Sequence, residues 1–185
     1  MWKRIIDVAL SLAALFVLAP VFFVVAMAIL MESGSPVIFR QQRIGKAERT
    51  FPMLKFRSML VGAEKIGPYF TVPDDQRITR VGKFIRRTSL DELPQLINVL
   101  SGDMSIVGPR PDTPEQKVNY VYSEWMLRCA VRPGLTGLAQ ARLRSNATAQ
   151  QRLELDLAYV RNNSLWLDIR IMAATLGRLA SKNTN

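Results

Sequence analysis

The longest apolar stretch runs from Ile5 to Met31 and is interrupted only by Asp7, Ser11 and Pro20. Such a run is long enough to reach through a bilayer as one helix. Pro20 lies near its middle, where it lacks an amide donor and its ring clashes with the preceding turn, so a kink or break is expected there. Each arm is then about 20 Å long at 1.5 Å per residue, short of a hydrocarbon core of roughly 30 Å. Basic residues flank both ends, Lys3 and Arg4 before the run and Arg40, Arg43 and Lys46 after it, whereas a spanning helix keeps its basic flank on the cytoplasmic side. From the residues alone a kinked span and a re-entrant hairpin in one leaflet both stay open. A secretory signal is set aside: Ala26-Met27-Ala28 resembles a cleavage site, but the run is too long for a signal core and a basic flank follows it.

Ser33-Gly34-Ser35-Pro36 is a breaker cluster that ends the run, which divides the chain into an anchor, 1–35, and one compact domain, 36–185. Val37 to Ile44 and Phe51 to Phe56 read as two strands joined by a turn near Gly45. Residues 60–76, with Gly62, Gly67 and Pro73, carry no sustained periodicity and read as a loop positioned to close over a ligand. Helical spacing then dominates. Ile78, Val81, Phe84 and Ile85 form one stripe. Thr113-Pro114-Glu115-Gln116 starts a helix carrying Val118, Val121, Tyr122 and Trp125, and Thr148 to Gln151 offers the same box before Leu153, Leu157 and Val160. Leu165 to Leu179, with Trp166 near its start, fits a core helix or one lying at a membrane interface. The expected fold is mostly α with a small β-hairpin, an α+β class.

Charge changes the picture locally. The 185 residues carry a formal net charge of +10, and residues 36–87 hold 12 Lys or Arg against 4 acids. Such an excess attracts phosphates, whether in nucleic acid, an anionic lipid surface or a nucleotide. The chain has no histidine, so proton transfer and metal binding fall to carboxylates, Lys, Tyr or water. A carboxylate site favours a hard cation such as magnesium. Cys129 cannot form an intrachain disulfide and reads as a small buried filler.

Ser89-Leu90-Asp91-Glu92 has the form of a capping box ahead of Leu93, Leu96, Ile97 and Leu100, which places the acidic pair in the first turn of a helix. Acids there commonly do no more than complement the helix dipole. Pro94 sits awkwardly in that box, at the fifth helical position, so the start shifts a residue or two later. Arg86 and Arg87 lie one turn upstream, and acids beside such cations can face a phosphate that the arginines also hold, with a shared magnesium relieving the repulsion. Gly108-Pro109-Arg110-Pro111 sets an arginine between two prolines in a stiff loop, suited to bidentate phosphate binding, although a structural turn is the commoner meaning of such a cluster.

Lys55-Phe56-Arg57-Ser58-Met59, Thr88 through Gln95, Asn98 through Ser105, Val107 through Pro111, and Arg132-Pro133-Gly134-Leu135-Thr136-Gly137 together closely resemble the bacterial sugar transferase family, the monotopic polyprenyl-phosphate phosphoglycosyl transferases. The resemblance covers essentially the whole chain. It implies a membrane-anchored enzyme of the cytoplasmic leaflet of the bacterial inner membrane, with a re-entrant helix broken at Pro20 and interfacial helices. Its implied partners are a UDP-sugar, undecaprenyl phosphate and membrane lipid, not nucleic acid. By the same resemblance Asp91 is the nucleophile that forms an aspartyl-phosphosugar, Glu92 its partner, both hold magnesium, and Lys55, Arg86 and Arg110 contact phosphate or nucleotide. Asp156 falls on a motif position in a supporting role, with structural pairing to one of those arginines as its plain alternative. Where many similar proteins have Asn-Gly-Arg-Asn, this chain has Arg142-Leu143-Arg144-Ser145; only Arg144 aligns, as a phosphate ligand, and the change bears on which sugar or base edge the loop reads. Two other classes account for part of the sequence: a non-catalytic basic adaptor at a membrane surface, and a polyprenyl diphosphate hydrolase with water as acceptor.

Overall fold

The computed structural model describes residues 2–66, 72, 75–143 and 147–182. Helix α1 (Trp2–Ser33) takes up the apolar run and is uninterrupted, with Pro20 inside it. The expected break at Pro20 is therefore absent as a gap in the helix; a proline costs one internal hydrogen bond, which neighbouring turns can absorb. By length and composition α1 is able to cross a membrane, at about 48 Å for its 32 residues.

Both ends of α1 are held by the same polar body. At the start, the Lys3 ammonium lies 2.6 Å from Asp168 Oδ2. Arg4 donates to the carbonyls of Val99 and Leu100, and the Asp7 carboxylate accepts from Ser105 Oγ at 2.8 Å and from the Ile106 amide at 3.1 Å. At the far end, the Glu32 carboxylate accepts from the amides of Arg80 and Val81 at 2.7 and 2.9 Å. Arg57 donates to the carbonyls of Ser33 and Gly34 at 2.8 and 2.7 Å. Between these ties Asp7, Ser11, Val25 and Ile29 are buried, while Leu12, Phe16, Val17, Phe23, Val24 and Met31 stand exposed. Spacings of four and fourteen put the buried set on one face.

Strands β1 (Ile38–Ile44) and β2 (Thr50–Phe56) form the expected antiparallel hairpin, registered from Ile38 opposite Phe56 to Ile44 opposite Thr50, with Gly45 and a 3-10 turn at Lys46–Glu48 between them. Residues 67–71 and 73–74 of the expected 60–76 loop lie outside the described residues; within the rest stands one turn of helix, α2 (Ala63–Ile66). Helix α3 (Arg80–Arg87) is capped by Thr79, whose side chain accepts from the Gly82 amide. Of its stripe Ile85 is buried and Phe84 is exposed. Helix α4 (Gln95–Ser101) lies under β2, joined to it by the Asn98 side chain, which accepts from the Leu54 amide and donates to the Pro52 carbonyl, both at 2.9 Å. A second small sheet, absent from the sequence expectation, pairs β3 (Ser105–Val107) in parallel with β4 (Gly134–Thr136).

The helix expected from Thr113 is two pieces, a 3-10 turn at Pro114–Asn119 and α5 (Tyr122–Arg128). Tyr120 is extended between them, its hydroxyl donating to Asp112 Oδ2 at 2.7 Å and its ring 5.2 Å from that of Trp125. That tether breaks the helical path, so Val118, Val121 and Tyr122 are exposed and Trp125 alone of the stripe is buried. After α6 (Leu138–Arg142), α7 (Ala149–Asn162) starts at Thr148 with the expected capping box and α8 (Leu165–Lys182) closes the described fold. Val107, Leu138, Tyr159, Val160 and Ile171 make one core. Val25, Ile29, Phe56 and Ile85 make a second, under α1, and Phe51, Met53, Val99 and Met104 a third.

Candidate active site

Asp91 and Glu92 lie on a 3-10 turn, Leu90–Glu92, between α3 and α4. The expected capping box is not formed. Ser89 sits in the left-handed region at φ 60 and ψ 17 and makes no side-chain cap, and α4 begins at Gln95 with Pro94 as its N-cap. The reason is Pro94. In a helix started at Ser89 its ring would crowd the preceding turn, whereas at an N-cap no amide donor is missed. Leu90 and Leu93 pack against the α1 core and anchor the turn, leaving the two acids to point into the domain's cationic cluster.

Three cations converge there from different elements. Lys55, on β2, places Nζ 3.2 Å from Glu92 Oε1. Arg110 grips the same carboxylate, at 2.5 Å to Oε1 and 3.4 Å to Oε2. Arg86, in the last turn of α3, is oriented by its Nε donating to Ser58 Oγ at 2.7 Å. The Lys55-to-Met59 segment is divided by the end of β2 at Phe56, past which the side chains no longer follow the strand's alternation: Lys55 enters the site, Arg57 holds the end of α1, and Ser58 aims Arg86.

The two carboxylates differ in state. Burial pushes Glu92 upward, but the charges and hydrogen bonds of Arg110 and Lys55 outweigh it and hold the group at about 2. Asp91 is 8% exposed, and among the described residues no hydrogen bond or ion pair reaches its carboxylate. Burial and the neighbouring Glu92 charge raise its pKa, against the opposing pull of Lys55, Arg86 and Arg110. Lys55 is itself lowered by burial, partly offset by Glu92. A buried carboxylate without a partner, ringed by cations, is both nucleophilic and attractive to a phosphate.

Arg110 stays 45% exposed in its side chain, so one face of its guanidinium is open to a ligand while the other holds Glu92. Its loop is packed on β4 by absence of side chains: a Cβ on Gly108 would stand 2.4 Å from the Arg132 carbonyl oxygen, and one on Gly134 2.0 Å from the Gly108 nitrogen. Glycine is required at both contacts.

Asp156 stands apart from this cluster. Its structural pairing is with Arg128, Nε to Oδ2 at 3.0 Å, not with Lys55, Arg86 or Arg110. Arg128 and Asp112 are polar residues of this region that the sequence reading passed over. The available signal was spacing: Arg128 follows Trp125 by three residues and so shares its buried face. Arg144 lies outside the described residues.

Among the described residues there is no group of three or more His, Cys, Asp or Glu able to enclose a metal ion. Two adjacent carboxylates, one of them unpartnered, do suit a hard cation that takes one or two protein oxygens and completes its shell with water and phosphate.

The bacterial sugar transferase family matches over residues 1–182. A UDP-glucose:undecaprenyl-phosphate glucose-1-phosphate transferase of Xanthomonas campestris pv. campestris is 44% identical, over 98% of this chain and 39% of that protein. A UDP-N-acetylgalactosamine-undecaprenyl-phosphate N-acetylgalactosaminephosphotransferase of Aeromonas hydrophila is 41% identical, over 94% and 42%. An exopolysaccharide production protein PSS of Rhizobium leguminosarum bv. phaseoli is 44% identical, over 94% and 92%. The chain spans about two fifths of the length of the first two of these relatives. With the family match running from the first turn of α1 to the end of α8, through every element that builds the acidic turn and its cations, the chain belongs to the bacterial sugar transferase family.

Proposed function

We propose that this chain transfers a phospho-sugar from a UDP-sugar to undecaprenyl phosphate and releases UMP, the first membrane step of glycoconjugate assembly. The observation that carries the reading is the unpartnered, buried Asp91 beside a Glu92 already neutralised by Lys55 and Arg110. A carboxylate oxygen of Asp91 attacks the sugar-bearing phosphorus; that P–O bond forms as the bond to UMP breaks, and UMP leaves with the electron pair. An oxygen of undecaprenyl phosphate then attacks the same phosphorus, the bond to Asp91 breaks, and the carboxylate is regenerated. Lys55, Arg86 and Arg110 hold the phosphates and stabilise the charge on the transferring group. Glu92 fixes the approach of Lys55 and Arg110 and assists the incoming acceptor. Asp91 and Glu92 would together hold magnesium, which supplies further charge neutralisation for two anions brought into contact.

The membrane arrangement proposed with this is monotopic. One polar body holds Lys3, Arg4 and Asp7 as well as Glu32 and Ser33, and a straight span would set a hydrocarbon core between those ends. The exposed apolar faces of α1, with Trp166 and Ile169 on α8, then enter one leaflet of the inner membrane from the cytoplasmic side.

The test is UMP release from a panel of UDP-sugars with magnesium and undecaprenyl phosphate, and its loss in Asp91→Asn. Wild-type turnover in that variant removes Asp91 as nucleophile. A product that carries no lipid would mark hydrolysis instead of transfer.

A further inference from the structure

Arg110 does not hold its own position. Each carbonyl from Pro109 to Asp112 is taken by a donor from a different part of the domain. The Pro109 oxygen accepts from the Gly134 amide at 2.9 Å and the Asp112 oxygen from the Ile44 amide at 2.9 Å. The Pro111 oxygen accepts from Arg43 at 3.0 Å, and the Arg110 oxygen itself accepts from Arg128 NH2 at 2.5 Å. Prolines at 109 and 111 contribute no amide hydrogens, so carbonyl acceptance is the principal way to pin this segment.

Arg128 is the member of this set whose every arm is committed. Its NH1 lies 2.6 Å from Asp112 Oδ2 and its Nε 3.0 Å from Asp156 Oδ2, and its guanidinium lies 5.5 Å from the centroid of the Tyr120 ring. Tyr120 in turn donates to Asp112 at 2.7 Å. The Arg128 side chain is almost entirely buried, as is that of Asp156. A buried cation between two carboxylates has a plain role in stability, but that role does not require its third arm to reach the one backbone oxygen that belongs to Arg110.

We propose that Arg128 is a positioning residue for the transfer site, setting the Arg110 backbone so that its guanidinium meets both Glu92 and a substrate phosphate, with Asp156 and Asp112 as the acids that orient it. This gives Asp156 its work: it acts through Arg128 and touches no substrate. The inference rests on the reading of Arg110 as a phosphate-facing group of a phospho-sugar transferase.

The experiment uses the full chain in nanodiscs and the variant Arg128→Lys. Lysine keeps a cation between Asp112 and Asp156, but its single ammonium cannot reproduce a planar fork to three acceptors. Expected are faster amide hydrogen exchange over residues 108–113 and a fall in kcat of about 10- to 100-fold with KM nearly unchanged, the range that misplacement of a catalytic group by about 1 Å produces. In an Arg110→Ala background the same substitution should cost little more, because the group it positions is gone. Unchanged loop exchange, or an equal loss in both backgrounds, overturns the proposal. Should Arg128→Lys fail to fold, Asp156→Asn, which removes the orienting acid, is read by the same two measurements with the same expectations. A wild-type protein that releases no UMP from any UDP-sugar defeats the transferase reading instead, and the exchange measurement then decides alone whether Arg128 holds the loop.

Discussion

The carboxylates of Asp91 and Glu92, one peptide apart, are shifted in opposite directions by their neighbours, and opposite pH behaviour follows. Glu92 is held at about 2, so its ionised form stabilises the fold at pH above the ordinary glutamate range, and that contribution is lost as pH falls toward 2. Asp91 is raised, so its ionised form opposes folding above the ordinary aspartate range. Asp91→Asn is therefore expected to abolish UMP release and yet raise the melting temperature, by about 2–4 °C for each kcal/mol of burial penalty removed; calorimetry beside the activity assay checks both. Activity needs the Asp91 carboxylate ionised, so the acid limb of kcat/KM should lie above the ordinary aspartate range. Arg110→Ala removes a cation that lowers both groups, and should shift that limb upward in pH while reducing kcat/KM about 100-fold or more; an unmoved limb in the pH–rate profile would count against Arg110 as a neighbour of Asp91. The acids and cations themselves were readable in sequence. Which acid is paired and which is left alone was not, because it depends on Lys55 and Arg110 arriving from segments far apart in the chain.

At the scale of elements, the site is a turn that three others hold in place. Asn98 ties α4 to β2 through both amide atoms, which fixes the turn before α4 relative to Lys55 on the strand. Asn98→Ala removes the partner of the Leu54 amide and the Pro52 carbonyl in a part-buried setting, an expected loss of about 1 kcal/mol, seen as a lower melting temperature together with a reduced rate of UMP release. Local rules predicted β1, β2, α3 and α7 well, since Thr79 and Thr148 satisfy orphan amides within their own segments. They failed at Ser89 and at Tyr120. There the deciding contacts are a proline ring in the next turn and a hydroxyl bond to Asp112, and each overrides the local preference. The β3–β4 pair was invisible for a related reason: three-residue strands carry too little period to be detected, and what defines them is the contact of Gly108 with Gly134.

For the whole molecule the central question is how an apolar helix meets a basic domain. Both ends of α1 cap elements of that domain: Arg4 takes carbonyls at the end of α4, and Glu32 takes amides at the start of α3. Cysteines introduced singly at Trp2 and Ser35, in a protein whose native Cys129 is buried, are therefore expected to react with an impermeant reagent from the same side of sealed vesicles. Reaction from opposite sides would defeat the monotopic arrangement. The apolar run, the basic flanks at both its ends, the α+β class, the order of the motifs and the acidic pair are legible in the sequence, because each is a property of composition or of short-range period. The continuation of α1 through Pro20 along the domain, the pairing of Glu92 while Asp91 is left without one, and the pairing of Asp156 with Arg128 come from the folded chain. Those outcomes depend on charges and backbone groups brought together across most of the chain, where Coulomb energy and burial are set by distances that no local pattern encodes.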